Sequence, residues 1–311
     1  MIEINRRHLS GSWLKCFNPS LVYYQGRYLL FYRYTPQPNS IYTSIAFVEL
    51  ALNFQPLGQQ QQVQLPRMTD RVMTMDDPRA FVWRDELWLL HVQAARYRHR
   101  HQWHWSTAIV LARVELTGQV SQVYVPAYGR NINYAVADAP PAFEKNWTPL
   151  VIEDDLYIVY EINPLTILKF QPKQEILIPV CYQPWINPYP TYLSGGTPLI
   201  SWLDSEYVGL FHTYTIRPDQ ERLYSMGFYT LDVEQWCITR ISQKPVLTAW
   251  EDDSKDLRRW EQFGQGKALV VFPGGIVDYG ETWAVSFGWN DCRCYIQLFD
   301  KNQVASAIAD K

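Results

Sequence analysis

The chain has 311 residues, of which 47% are hydrophobic and 19% charged, and its formal net charge is -3. This composition is typical of a globular protein, and the near-neutral charge argues against nucleic acid as a partner, because phosphate-binding surfaces carry net positive charge. No apolar run is long enough to span a bilayer, so a membrane partner is not expected either.

The cysteines are odd in number and lack the spacing of metal ligands. No signal peptide is recognisable in residues 1–7, so we expect reduced thiols in a cytoplasmic protein. We expect neither a metal nor a cofactor. The five cysteines are Cys16, Cys181, Cys237, Cys292 and Cys294.

Helical periodicity is almost absent, and units of strand, turn and strand recur instead. In the first unit an apolar strand follows Asn18-Pro19, a turn falls at Gln25-Gly26-Arg27, and residues 28–32 return as a second strand. Val, Ile, Tyr, Phe and Trp dominate such runs, as is typical of strands bounded by polar turns. Similar units open near residues 17, 76, 144, 194 and 271.

Five copies of one unit predict an all-β fold, a five-bladed β-propeller that forms a single domain over residues 1–311. Each interval holds about four short strands, as propeller blades do. The first strand of each blade lines the central channel, so the opening residues of all blades should converge on one axis. These opening residues are Asn18, Asp77, Asn146, Thr197 and Pro273, spaced 51 to 76 residues apart.

The second unit opens with the segment Asp76-Asp77-Pro78-Arg79, an acidic turn that feeds an apolar strand. A carboxylate held on a stiff element can be aimed at a substrate. The alternative is a purely structural turn in which Arg79 pairs with Asp76 or Asp77.

Two stretches do not fit the blade plan. The Gln-rich segment 58–64 is predicted to be a solvated loop. The basic and aromatic insertion 96–105 interrupts the second unit. Its arginine forks suit phosphate and carboxylate groups, so it is a candidate anion site for inorganic phosphate, a sugar nucleotide or an acidic sugar. The alternative is a loop tip in bulk solvent, where ion pairs contribute little. The arginines concerned are Arg96, Arg98 and Arg100.

Several segments, in order, resemble glycoside hydrolase family 130, the five-bladed β-mannoside phosphorylases and hydrolases. The resemblance spans about residues 15 to 300 and rests on short motifs in four blades and the 239–247 run. These segments are Asp76-Asp77-Pro78-Arg79, Lys145-Asn146, Gly195-Gly196-Thr197-Pro198 with Phe211-His212, residues 239–247, and Gly288-Trp289-Asn290-Asp291.

The resemblance implies that Asp77 is the general acid, which delivers its proton to the glycosidic oxygen by way of a sugar hydroxyl. It also implies that Asp291 binds sugar. The chain departs from the family phosphorylases at Tyr160-Glu161, where they carry His-Arg. Two phosphate ligands are thus replaced, and an acid at this place would repel phosphate. Related furanosidase-type propellers place an Asp where this chain has Asn18, and Asn cannot act as a general base.

Inverting hydrolysis uses two carboxyl groups about 6.5–9.5 Å apart. The catalytic candidates are therefore Asp77 with either Glu144 or Glu161. The alternatives are an ion pair of Glu144 with Lys145 or Arg79, and a position of Glu161 at the blade edge. Trp147 and Trp289 are candidate stacking platforms for sugar rings, against ordinary packing in the propeller. The full set of predicted substrate-binding residues is Asn18, Asp76, Arg79, Lys145, Asn146, Trp147, Thr197, His212, Trp289 and Asp291.

These observations favour a carbohydrate-active enzyme that cleaves or transfers a mannosyl-type unit of an oligosaccharide or glycoside. Inorganic phosphate or a sugar nucleotide is a further candidate partner. Two alternatives stay open: a non-catalytic sugar-binding propeller, in which the acids only accept hydrogen bonds, and a mannosyltransferase that uses a sugar nucleotide.

Overall fold

The computed structural model describes residues 1–4, 15–36, 40–99, 102–128, 143–185, 187–189, 191–218, 221–250 and 268–310. Within those residues the chain forms 24 strands and one helix. The strands are β1 (Ile2–Ile4), β2 (Lys15–Tyr24), β3 (Arg27–Thr35), β4 (Ser44–Leu50), β5 (Pro56–Gln62), β6 (Val72–Trp83), β7 (Glu86–His99), β8 (Gln102–Val114), β9 (Val120–Tyr124), β10 (Thr148–Ile152), β11 (Asp155–Glu161), β12 (Leu165–Gln171), β13 (Ile176–Gln183), β14 (Ser194–Gly195), β15 (Ile200–Leu203), β16 (Glu206–Ile216), β17 (Arg222–Asp232), β18 (Cys237–Ser242), β19 (Leu247–Thr248), β20 (Ala268–Leu269), β21 (Val271–Tyr279), β22 (Thr282–Trp289), β23 (Arg293–Asp300) and β24 (Ile308–Asp310), and the helix is α1 (Lys301–Ala307).

The strands form five sheets arranged as the blades of a propeller, which confirms the predicted fold class. Blades one, two and three each contain four consecutive strands, β2 to β5, β6 to β9 and β10 to β13. Blade four is built on β14, β16, β17 and β18, and blade five on β21, β22 and β23. No helix in these residues has the length and apolar character needed to cross a membrane.

Apolar packing between neighbouring sheets holds the blades together. Between blades one and two, Leu29, Phe31 and Phe47 lie in one buried cluster with Leu87 and Leu89. The Phe31 and Phe47 rings stack with centroids 5.0 Å apart. Because each sheet packs on both faces, its middle strands are buried almost throughout, which explains their continuous apolar runs.

Strand β1 lies far from its sheet in sequence. It pairs with β23, with Ile4 opposite Cys294, and so becomes the fourth strand of blade five. Strand β24 similarly pairs with β18 at the outer edge of blade four. These pairings tie the last blades to the rest of the ring, and no turn or motif in the sequence predicted them.

The two stretches that did not fit the blade plan both belong to strands. The Gln-rich segment was expected to be a loop, but residues 56–62 form β5, the largely exposed outer strand of blade one. Residues of the basic insertion extend β7 and β8 into a long hairpin, in which Arg96 lies opposite Trp105. Polar side chains suit β5 because an outer strand faces water.

The inner strands approach one another closely at the propeller axis. A Cβ atom on Gly274 would lie 2.3 Å from the carbonyl oxygen of Pro19 and 3.7 Å from that of Pro78. Strands β2, β6 and β21 therefore meet at this level, and glycine is required because backbone occupies the place of a side chain.

We expect Gly275→Ala to destabilise the protein by about 2 kcal/mol, within the range for overpacking a dense interior. The added Cβ would lie 2.1 Å from the backbone nitrogen of Leu21 and 2.6 Å from its oxygen. Gly280→Ala is the control, because no atom lies within 4 Å of its Cβ position and only its φ of +64° is unfavourable, at a cost of about 1 kcal/mol. Urea unfolding measures both, and equal losses of stability would contradict the expectation.

Candidate active site

Three of the inner segments carry an Asn or Asp in the left-handed backbone region. The φ angles are 50° at Asn18, 51° at Asp77 and 63° at Asn146. Among residues with a side chain, Asn and Asp tolerate this region best. The ladder register also shifts at the first two positions, between Phe17 and Ser20 and between Asp76 and Arg79. Bulges of this kind re-aim side chains, so the fold needs these residue types where the sequence places them.

Asp77 and Asn18 are brought together from neighbouring blades. Nδ2 of Asn18 donates a hydrogen bond of 2.7 Å to Oδ1 of Asp77. Nη1 of Arg33 lies 4.0 Å from the same oxygen, and 18% of the Asp77 side chain stays exposed. The result is an accessible carboxyl group whose orientation is fixed by an amide donor.

Asp76 is held in a different way from Asp77. Its Oδ1 accepts a hydrogen bond from Oγ1 of Thr43 (2.6 Å), its Oδ2 accepts one from Oγ1 of Thr74 (2.7 Å), and Nε of Arg33 lies 2.7 Å from Oδ1. Burial raises the pKa of Asp76 despite the opposing charge of Arg33. These contacts fix Arg33 beside the axis, so Asp76 anchors the guanidinium that faces Asp77.

Arg33 was missed by the sequence reasoning. It lies on β3 opposite Phe17, one residue from the bulge at Asn18, and its guanidinium packs 4.7 Å from the Phe17 ring centroid. A charged residue between the two buried tyrosines Tyr32 and Tyr34 was the available signal. Such a residue needs a buried partner, which here is Asp76.

Arg79 was predicted to bind substrate, but the structure places it in the interior with no exposed surface. Its Nε donates to the carbonyl oxygen of Gly196 (2.6 Å), its Nη2 to that of Gly195 (3.1 Å) and its Nη1 to that of Asp77 (3.3 Å). Burial lowers the pKa of Arg79 to about 10, so it stays charged at neutral pH. Its described contacts give it a structural role in joining blades two and four.

Three further residues predicted to contact substrate are also buried. Thr197 is 0% exposed, and its Oγ1 accepts a hydrogen bond from the backbone nitrogen of Leu210. Trp147 and Trp289 are each 2% exposed and lie in hydrophobic clusters. Neither ring offers a free face to a sugar, so ordinary packing describes both tryptophans.

The two candidate glutamates of blade three differ in burial and in their contacts. Glu144 is 7% exposed, accepts a hydrogen bond from Nε1 of Trp147 (3.0 Å) and another from the hydroxyl of Tyr160 (3.3 Å). Glu161 is exposed. Burial raises the pKa of both carboxyl groups. Glu161 is the last residue of β11, beyond the pairing of Thr148 with Val159 that ends the described ladder between β10 and β11.

His212 and Asp291 occupy the fourth and fifth blades. His212 is 5% exposed, and burial, with smaller contributions from the charges of Arg79 and Lys145, lowers its pKa to about 3. It is therefore neutral at pH 7. Its ring centroid lies 4.8 Å from that of Phe272. Asp291 is partly exposed and close enough to Tyr224 for its charge to add to the burial that raises the pKa of that phenol.

The proposed anion site is only partly visible. Arg96 is exposed on β7, whereas the side chain of Arg98 and the whole of Arg100 lie outside the described residues. Anion binding by this hairpin therefore stays a prediction. Among the described residues, no cluster of three or more His, Cys, Asp or Glu side chains is suited to hold a metal ion.

Comparison with known families gives one match over nearly the whole chain. The profile of glycoside hydrolase family 130, described as beta-1,4-mannooligosaccharide phosphorylase, matches residues 10–306. A comparison with curated proteins found no significant match.

Solved structures share the fold at low sequence identity. A β-1,2-mannobiose phosphorylase from Listeria innocua, solved with β-1,2-mannobiose, has a TM-score of 0.61 and 13% identity, with 95% of this chain and 92% of that chain covered. A glycosyl hydrolase from Bacteroides ovatus has a TM-score of 0.62 and 14% identity, with 93% and 86% covered. A GDP-Man-dependent mannosyltransferase from Leishmania mexicana has a TM-score of 0.55 and 9% identity, with 96% and 88% covered.

Proposed function

The chain belongs to glycoside hydrolase family 130, and from this premise we propose that it cleaves a β-mannosidic bond with Asp77 as the general acid. The substrate is a β-linked mannoside or manno-oligosaccharide. Water is the acceptor that the third blade favours, with Glu161 as the group that activates it.

The hydrogen bond between Asn18 and Asp77 is the observation that carries the proposal. Because Nδ2 of Asn18 donates to Oδ1 of Asp77, Oδ1 acts as an acceptor there and the transferable proton belongs on Oδ2. A general acid must present its proton in one fixed direction. The bulge between Asp76 and Arg79 and the hydrogen bond from Asn18 in the neighbouring blade support such a fixed direction.

The choice of water over phosphate rests on Glu161. Family phosphorylases carry His-Arg where this chain has Tyr160-Glu161, and a carboxylate there repels a phosphate dianion. Glu161 is exposed, and a raised pKa brings a carboxyl group nearer to the range useful for a general base at neutral pH. In this mechanism Glu161 takes one proton from water, and the oxygen bonds to the anomeric carbon. The glycosidic C–O bond breaks as the proton of Asp77 is delivered, by way of a sugar hydroxyl, to the glycosidic oxygen of the leaving sugar.

The remaining polar groups around the axis serve the sugar in this proposal. Asn146 and Lys145 come from blade three, and His212 and Asp291 from blades four and five. A neutral His212 can donate a hydrogen bond to a hydroxyl group or accept one from it. Carboxylate and amide groups around an axis suit the many hydroxyls of a pyranose.

A product assay tests the proposal. The purified protein is incubated with β-1,2- and β-1,4-linked mannobiose, with and without inorganic phosphate, and the products are separated by anion-exchange chromatography. We expect free mannose at a rate that phosphate does not increase. Accumulation of mannose 1-phosphate that depends on phosphate would replace hydrolysis by phosphorolysis.

The same panel separates the alternatives of a different class. Binding of mannobiose by calorimetry without any product supports the non-catalytic sugar-binding propeller. Transfer of mannose from a sugar nucleotide to mannobiose supports the transferase. If the protein forms no product from these ligands and binds none of them, a mannoside is rejected as the substrate.

A further inference from the structure

We propose that Glu144 is a positioning residue and not one of the two catalytic carboxyl groups. It fixes the segment that carries Lys145 and Asn146 to the axis. This inference rests on the proposed function, because it concerns the same site, and it separates the two glutamates that the sequence left equivalent.

Glu144 bridges its own segment and the neighbouring strand. Its Oε2 accepts from Nε1 of Trp147, three residues later, and its Oε1 accepts from the hydroxyl of Tyr160 on β11. The ring of Trp147 is 2% exposed and belongs to the cluster between blades two and three. The carboxyl group therefore closes a loop around Lys145 and Asn146 and attaches it to a rigid element.

The loop closed by Glu144 contains Asn146, whose φ is 63°. A residue in this region of the backbone persists only when its surroundings determine it. The carbonyl oxygen of Asn146 also lies against blade four, since a Cβ on Gly195 would come within 2.3 Å of it. A displacement of Asn146 would therefore reach Gly195 directly.

Arg79 connects Gly195 to the backbone of the general acid. Its carbonyl oxygen and that of Gly196 accept from Arg79, and Nη1 of Arg79 donates to the carbonyl oxygen of Asp77. A continuous set of contacts thus runs from Glu144 through the axis to the backbone of Asp77. The contacts define how a change at Glu144 can alter the site without Glu144 touching the substrate.

The surroundings of Glu144 do not suit a general base. Both carboxyl oxygens already accept hydrogen bonds, one from the buried Trp147 and one from the half-buried Tyr160, and 7% of the residue is exposed. A base that activates water needs an oxygen within hydrogen-bond reach of that water. Glu161, by contrast, is exposed, so water can reach its carboxyl oxygens.

Two substitutions distinguish positioning from catalysis. In Glu144→Gln the amide oxygen can accept from Trp147 while the amide NH₂ donates to the oxygen of Tyr160, so both contacts survive without the charge. Glu144→Ala loses both contacts. We expect Glu144→Gln to keep kcat within about 3-fold and to keep the shape of the pH profile of kcat/KM. We expect Glu144→Ala to lower kcat/KM by about 100-fold, the size of effect that misplacing a site by about 1 Å produces.

Glu161→Gln is the matched control, because it changes the same residue type in the same blade, at the end of β11. It should lose turnover and the acidic limb of the pH profile. Affinity for mannobiose is measured by calorimetry in the Asp77→Asn background, where Glu144→Ala should bind more weakly and Glu144→Gln should bind normally. Circular dichroism checks the fold of every variant.

The outcomes separate this inference from the proposed function. A folded Glu144→Gln protein that is as inactive as Glu144→Ala and has lost the acidic limb would overturn the positioning role. Normal binding and turnover by Glu144→Ala would overturn it as well. A wild-type protein that neither turns over nor binds any mannoside rejects the proposed function itself, and the inference with it.

Discussion

Asp77→Asn should retain the fold and the binding of mannosides while kcat falls by about 10²–10⁴-fold, the contribution of a general acid. Asn accepts the left-handed backbone that Asp77 adopts at φ 51°. Its amide oxygen can still accept the hydrogen bond from Asn18. The variant has an amide NH₂ in place of the acidic hydroxyl of the carboxyl group, so only the chemical step should slow.

The measurement is turnover of mannobiose together with its affinity by calorimetry. Asp70→Asn is the control, since Asp70 is an exposed aspartate just before the same strand, and it should match the wild type. Substrates with a leaving group that needs no protonation, such as a dinitrophenyl mannoside, should recover much of the rate in Asp77→Asn. Unchanged turnover of mannobiose by this variant would reject Asp77 as the acid.

Arg79→Met should destabilise the protein by about 4 kcal/mol, because a buried acceptor that loses its donor costs about 1–3 kcal/mol. The change removes the donors to the carbonyl oxygens of Gly195, Gly196 and Asp77. Methionine has a similar length and fills the space, so the loss reports mainly the hydrogen bonds. Urea unfolding followed by tryptophan fluorescence measures it.

Arg113→Met is the control for Arg79→Met. The side chain of Arg113 is 35% exposed and pairs with Glu86 at 3.6 Å, and exposed pairs contribute about 0.2–1 kcal/mol. If Arg79→Met loses no more stability than Arg113→Met, the guanidinium of Arg79 is not a structural element. Sugar binding that disappears in a normally stable Arg79→Met would restore the substrate contact predicted from sequence.

The fold was predictable from sequence because each blade repeats one local pattern. Short apolar runs separated by polar turns specify strands, and polar opening residues at 18, 77 and 146 mark where each copy begins. Local patterns of this kind depend on neighbours in the chain, so five copies can be counted without a structure. The pairings of β1 with β23 and of β24 with β18 were not predictable, because their partners lie far away in sequence.

The candidate site was also predictable only in part from the sequence. By itself the sequence determined that Asn18, Asp77 and Asn146 stand at equivalent places, since the repeat aligns them. Only the tertiary structure decided which polar groups face inward to the protein and which face the axis. Arg79 and Glu144 proved to be buried with protein partners, and Arg33 was brought to Asp77 from another blade. The physical reason is that burial and hydrogen-bond partners come from packing between blades, which no local pattern records.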